Sequence, residues 1–222
     1  MNNRSMSSDF EKNIWDAENT FYLNSKPSRI AKFMYHYEIY KKIINIPGDV
    51  LEFGVFKGAS FSRFLSFRKI LENDDSRIII GFDDFGSFTA KGNKEDVSFA
   101  KSFTKTLGPG ANDVKLKENF KKNGYTNFEF FKGDVVKTLP SYLKENSGAK
   151  IALLHLDLDV YRPTKFVLNK LYKKMSRGGI ILIDDYSEIE GATKAVDEFF
   201  SNKSVKIEKM TFYKRPSYIV IK

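Results

Sequence analysis

Ile151-Ala-Leu-Leu-His-Leu-Asp-Leu-Asp-Val-Tyr-Arg-Pro-Thr164 and Gly178-Gly-Ile-Ile-Leu-Ile-Asp-Asp-Tyr186 bracket the segment that decides the fold. Each contains a short apolar run, Ile151–Leu154 or Ile180–Ile183, and each leaves that run through aspartate. Between them, Thr164–Met175 reads as a helix. Strand, helix and strand within about 30 residues make a βαβ unit, whose strands run parallel. The same alternation extends upstream. Strand Val50–Gly54 leads to helix Ser60–Leu71, strand Arg77–Phe82 leads to a loop, and strand Phe128–Phe131 leads to helix Lys137–Asn146. Residues 95–107 and 112–123 read as helices. Downstream, helix Ala192–Phe200 precedes two strands, Val205–Met210 and Ser217–Ile221. Their connection, Thr211–Pro216, is too short for a crossover, so this last pair is antiparallel. The expectation is an α/β fold: a doubly wound, mostly parallel sheet of seven strands, helices on both faces and an antiparallel C-terminal strand.

Residues 1–27 are polar and read as an arm with a short helix around Phe10–Asn19; residues 28–222 read as one domain. Ser28 is expected to cap a helix to about Asn45, with Ile30, Phe33, Met34, Tyr37 and Tyr40 on its apolar stripe. That stripe suits packing on the sheet or against a partner subunit in a homo-oligomer. The loop Asp84–Asn93 and the arm are long enough to serve as a lid.

Composition excludes several classes of function. The 222 residues include no Cys and two His, which removes thiolate catalysis, disulfides and Cys- or multi-His metal cages. No apolar run approaches the roughly 20 residues of a membrane helix, and the N-terminus lacks a signal core. A cytoplasmic protein without membrane insertion is expected. The net charge of +9 is spread as lysine pairs rather than basic runs. It suits a solvated surface or a small anionic ligand such as a sugar nucleotide better than nucleic acid.

In a doubly wound sheet the ligand lies beyond the C-terminal strand ends. After the first strand, Leu51-Glu-Phe-Gly-Val-Phe-Lys-Gly58 pairs Gly54 and Gly58 with the carboxylate of Glu52. The glycines allow a tight turn and close approach of a ligand. Glu52 disfavours a pyrophosphate and favours a cationic ligand; the same residues also suit a plain turn with a surface Glu. Asp83, after the second strand, suits ribose hydroxyls, or a loop charge. Asp134, after the third, suits an adenine amino group or a helix cap. Asp157 and Asp184-Asp185 lie 27 residues apart, which sends them out of one sheet edge on neighbouring strands. Several carboxylates converging there call for a divalent cation, and an all-oxygen donor set favours Mg²⁺, Mn²⁺ or Ca²⁺. The bland alternative is a row of helix caps. His155 shares a side of the strand with Asp157 and is a candidate proton acceptor or a core histidine.

Taken in order, LEFGVFKG (51–58), GFDDF (81–85), GDVVKTLP (133–140), HLDLDVYRPT (155–164), GGIILIDDY (178–186) and GATKAVDEF (191–199) resemble the class I S-adenosylmethionine-dependent methyltransferases, and within them the macrocin O-methyltransferase (TylF-like) family. The resemblance covers about residues 28–200. It implies a Rossmann-like methyltransferase fold and metal-dependent methylation of a sugar hydroxyl, on a nucleotide-linked deoxysugar, a surface glycan or a natural product. It further implies that Glu52, Gly54, Gly58 and Ser60 hold the methionine end of S-adenosylmethionine, Asp83 the ribose and Asp134 the adenine. Asp157, Asp184 and Asp185 match the metal ligands, with Asp157 and His155 as catalytic candidates and Tyr161 and Tyr186 lining the substrate pocket. Phenolic relatives with D-x-D-K carry a lysine where Val160 stands here, which favours the sugar branch. Two rivals remain: a glycosyltransferase using Asp157-Leu158-Asp159, and a non-catalytic binding protein of the same fold.

Overall fold

Residues 8–90 and 94–222 are described in the computed structural model, with side chains from Lys12 onward. Strand β1 is Asp49–Phe53, β2 Ile79–Asp83, β3 Phe128–Lys132, β4 Ile151–Leu156, β5 Met175–Ile183 and β6 Ser217–Val220. They form one sheet in the order β3-β2-β1-β4-β5-β6. The first five strands are parallel, and β6 runs antiparallel to β5. Order reverses between β1 and β4, which opens a crevice at their C-terminal ends. The final pair is shorter than expected. The stretch 205–210 joins the sheet only through a bridge at Glu208, bonded to Tyr218 in both directions at 2.8 Å. The sheet therefore has six strands instead of seven. Its outer stretch carries Lys206, Glu208 and Lys209, charges that blunt an edge.

Every residue of β4 is buried, so helices cover both faces. On one face lie α2 (Pro27–Ile43) and α3 (Ala59–Leu71), packed on Val50, Ile79, Leu153, Ile180 and Leu182. On the other, α6 (Val135–Glu145), α7 (Tyr161–Leu171) and α8 (Glu190–Phe200) cover Leu51, Phe53, Leu154, Ile181 and Ile183. Helices α4 (Lys94–Leu107) and α5 (Asp113–Lys122) fill the long β2–β3 connection, and α1 (Ser8–Asn24) precedes α2.

Three helix starts differ from expectation for local reasons. Helix α2 begins at Pro27, whose missing N–H is harmless at a first helical position, so Ser28 lies inside the helix and does not cap it. Helix α7 begins at Tyr161 because Pro163 falls in its first turn. Helix α6 begins at Val135, capped by Asp134, whose side chain accepts from the Val136 amide. The buried face of α2 is Tyr35, His36, Ile39, Tyr40 and Ile43, while Phe33 and Met34 are about half exposed. Of the expected stripe, only Tyr40 is fully covered.

Gly54 fixes the crevice. Its φ is +96°, and a Cβ there would lie 1.8 Å from the Asp157 carbonyl oxygen. Gly54→Ala is therefore expected to destabilise the protein by at least about 2 kcal/mol, from strain and overpacking together. Thermal denaturation should show a lowered Tm; an unchanged Tm would mean β1 and β4 separate freely at this point.

Candidate active site

Sheet hydrogen bonding continues one residue past each strand and delivers the acids to one edge. The Gly54 amide bonds the Phe82 carbonyl, Gly133 bonds Asp83, Asp157 bonds Phe53 and Asp184 bonds Leu156, each at 2.9 Å. Asp83, the last residue of β2, and Asp134, Asp157 and Asp184, just beyond β3, β4 and β5, thus lie at the same end of the sheet.

A cleft of about 290 Å³ opens there. Gly54, Asp83, Gly133, Asp134, Asp157 and Asp159 contribute to its rim. One wall is aromatic: Phe103 packs edge-on against Phe56 and Phe88, at 5.3 and 5.5 Å between centroids. The loop after β2 supplies further lining from Asp84 to Ala90; the remainder of the expected lid loop, 91–93, lies outside the described residues. The carboxylate of Asp83 accepts from the Phe56 amide at 2.8 Å and from the Phe85 amide at 2.6 Å. Two backbone donors hold that carboxylate rigidly at the cleft. Asp134 both caps α6 and reaches the cleft.

Asp157, Asp184 and Asp185 offer oxygens within 4.8 Å of one another. Asp184 and Asp185 are buried, and Asp184 Oδ1 has no hydrogen-bond partner among the described residues. Such a set fits a hard divalent cation: three oxygen donors, one of them unsatisfied, around a point that attracts positive charge. An ammonium already responds to that attraction. Lys32 of α2 lies 2.7 Å from Asp184 Oδ2. Burial opposes the charge on Lys32, but Asp157, Asp184 and Asp185 outweigh it and raise its pKa. Burial would also raise Asp184, but His155 and Lys32 hold it below the usual carboxylate range. Asp157 and Asp185 are pushed up, by burial first and by neighbouring carboxylates next.

Glu52 and His155 stand side by side in the β1/β4 register. Both are fully buried and neither touches the cleft. The Ser60 hydroxyl donates to Glu52 Oε1, while Glu52 Oε2 has no partner among the described residues. His155 Nδ1 lies 3.5 Å from Glu52, and Nε2 lies 3.9 Å from Asp184. His155 is thus an electrostatic bridge between the first glycine turn and the acids rather than a hydrogen-bonded one, since both its ring nitrogens lack a hydrogen-bond partner among the described residues. Gly58 starts α3 in the left-handed region, against Leu116 rather than the cleft. Tyr161 and Tyr186 turn to α8, their hydroxyls bonded to Glu198 and Asp197; the structure does not bring them into the cleft.

Three residues at this edge escape a strand-end reading. Lys32 and His36 come from α2. His36 is fully buried, with neither ring nitrogen hydrogen-bonded among the described residues, stacked on Phe64 and edge-on to His155. Asp159 has φ +61°, donates its amide to Asp185 Oδ2 at 3.0 Å and lines the cleft. Burial, with Asp157 next, pushes its carboxyl up to about 8. Only the D-x-D spacing hinted at it.

The fold is that of the class I methyltransferase architecture. Apo CalS11, a TDP-rhamnose 3'-O-methyltransferase of calicheamicin biosynthesis, shares the fold with a TM-score of 0.69 at 23% identity, over 98% of this chain and 88% of that one. The macrocin-O-methyltransferase (TylF) family profile matches residues 31–212, and the chain belongs to this family. Demethyldecarbamoylnovobiocin O-methyltransferase of Streptomyces niveus is 28% identical over 173 residues, 75% of this chain and 63% of the relative. Mycinamicin III 3''-O-methyltransferase of Micromonospora griseorubida is 27% identical over 184 residues, 78% of this chain and 70% of the relative. The chain thus spans just under two thirds of the novobiocin relative. No helix among the described residues is long and apolar enough to cross a membrane.

The two histidines are predicted to titrate oppositely. Burial would depress His155, but Asp184 and Glu52 outweigh it and push it up to about 10. Burial and then His155 hold His36 well below its usual value. In the metal-free protein, ¹⁵N-resolved NMR should show His155 as an imidazolium through neutral pH and His36 as a neutral ring. The His155 contribution to stability should be fully present below about pH 6.5, its unfolded value, and fade as pH rises through about 10. A neutral His155 at pH 7 would contradict the bridge.

Proposed function

We propose that this chain is an S-adenosylmethionine- and divalent-metal-dependent O-methyltransferase that acts on a sugar hydroxyl. The observation that carries the reading is the meeting of Asp157, Asp184 and Asp185 beside a cleft rimmed by Gly54, Asp83 and Asp134. Family membership and the mycinamicin relative's name, a 3''-O-methyltransferase, support it.

The cofactor supplies an activated methyl group on sulfur. Asp83 suits the ribose, because its carboxylate is pre-oriented and can accept further hydroxyl protons. Asp134 suits the adenine side of the cleft. Glu52 lies beneath the turn, its carboxylate bonded by Ser60 and 3.5 Å from His155, and suits the cationic end of the ligand. A divalent cation held by Asp157, Asp184 and Asp185 would lower the pKa of a sugar hydroxyl and fix its direction. Displacement at the methyl carbon requires oxygen, carbon and sulfur in line, so positioning carries much of the rate. Asp157 and Asp159 face the cleft and can take the hydroxyl proton. His155, sealed from the cleft, acts through Asp184 by helping Lys32 to hold it ionised. The acceptor class is a hexose or deoxyhexose, free as its nucleotide or joined to an aglycone.

Labelled methyl donor, Mg²⁺ and a panel of sugar nucleotides and glycosides should yield a product heavier by one methyl group. Asp157→Asn and Asp185→Asn should each lower kcat by more than the roughly 100-fold that outer-shell changes cost, with cofactor affinity largely kept. Full activity of either variant in chelator would remove the metal from the reading.

A further inference from the structure

Lys32 reaches the acids from α2, outside the run of strand-end motifs. Its ammonium touches Asp184 Oδ2 at 2.7 Å, and its side chain keeps 22% of its surface exposed. The charges acting on it are those of Asp157, Asp184 and Asp185, the same three whose oxygens cluster within 4.8 Å. A divalent ion bound to those oxygens would stand within a few ångströms of the ammonium, and like charges at that distance repel strongly at low dielectric. The two cations therefore compete for one set of oxygens.

We propose, on the reading that this triad holds a divalent cation, that Lys32 is a tethered counter-ion. It neutralises the acids in the metal-free protein, and metal binds by expelling its ammonium. The lysine suits that role physically. Its flexible four-carbon stem can withdraw by changing rotamer, and its partial exposure leaves it a route to water. His155, also beside Asp184, is fully buried and has no such route to water, so it stays. The arrangement spares the apo protein an uncompensated cluster of carboxylates and weakens metal binding, so that the ion exchanges.

The test uses the intact chain. Amines are acetylated with an N-hydroxysuccinimide ester, with and without Mg²⁺, and Lys32 is followed by peptide mass spectrometry against exposed Lys173 as internal control. Lys32 should react several-fold faster with Mg²⁺ while Lys173 stays constant; an equal or slower rate overturns the proposal. Separately, Lys32→Met should bind Mn²⁺ about tenfold tighter by calorimetry, the order expected from removing one nearby like charge, and Lys32→Arg should not. Equal or weaker binding by a folded Lys32→Met also overturns it, and if that variant fails to fold the labelling decides. Wild-type protein that binds Mn²⁺ with no Lys32 effect sinks this proposal alone. Wild-type protein that binds no divalent ion sinks the metal reading and this proposal with it.

Discussion

Three carboxylates share one small volume because β4 and β5 end side by side and each strand leaves through aspartate. At about 4–5 Å and an effective dielectric near 20, each ionised pair costs about 3–4 kcal/mol. No folded state carries that without compensation. The compensation here comes from outside the acids' own loops: Lys32 from α2 and His155 from within β4. Where these two cations stand explains the division among the acids. Asp184, which faces both, is held ionised, while Asp157 and Asp185 are drawn toward their protonated forms.

The sheet makes this edge by having two unlike faces. The face under α6, α7 and α8 is apolar along its length. The face under α2 and α3 is apolar until its last rows, where Glu52 and His155 stand in register and His36 lies over them. A polar row buried against helices needs partners, and among these are one another, Ser60, Asp184 and the charge of Arg63 from α3. The glycine turn after β1 and the acids after β4 and β5 are thereby joined by one chain of buried charge. Gly54 closes the other side of this junction, since only a residue without Cβ fits against the Asp157 carbonyl.

The strand ends were legible because the chemistry repeats: an apolar run, then an acid or glycine, then a helix. That β4 and β5 are neighbours followed from spacing, as the 27 residues between Asp157 and Asp184 admit one crossover and no more. Helix α2 was not legible in the same way. Its sequence is apolar and aromatic on several faces, so Ile30-Phe33-Met34-Tyr37-Tyr40 and Tyr35-His36-Ile39-Tyr40-Ile43 are both acceptable stripes. Burial selects the second, which brings His36 over His155 and Lys32 to Asp184. Nothing in the local pattern distinguishes a lysine that solvates a helix from one that neutralises a distant acid. Tyr161 and Tyr186 show the opposite error. Both follow a strand, yet the helix that starts at Tyr161 rotates its ring toward Glu198, and Asp197 takes the Tyr186 hydroxyl.

The same geometry separates the methyl-transfer reading from a sugar-diphosphate one. In a D-x-D site both aspartates of one loop approach the metal and its diphosphate. Here Asp157 is grouped with Asp184 and Asp185 across the β4–β5 gap, while Asp159 is held in a left-handed turn with its amide on Asp185. A metal at the triad would thus be shared between two strands rather than gripped by one loop.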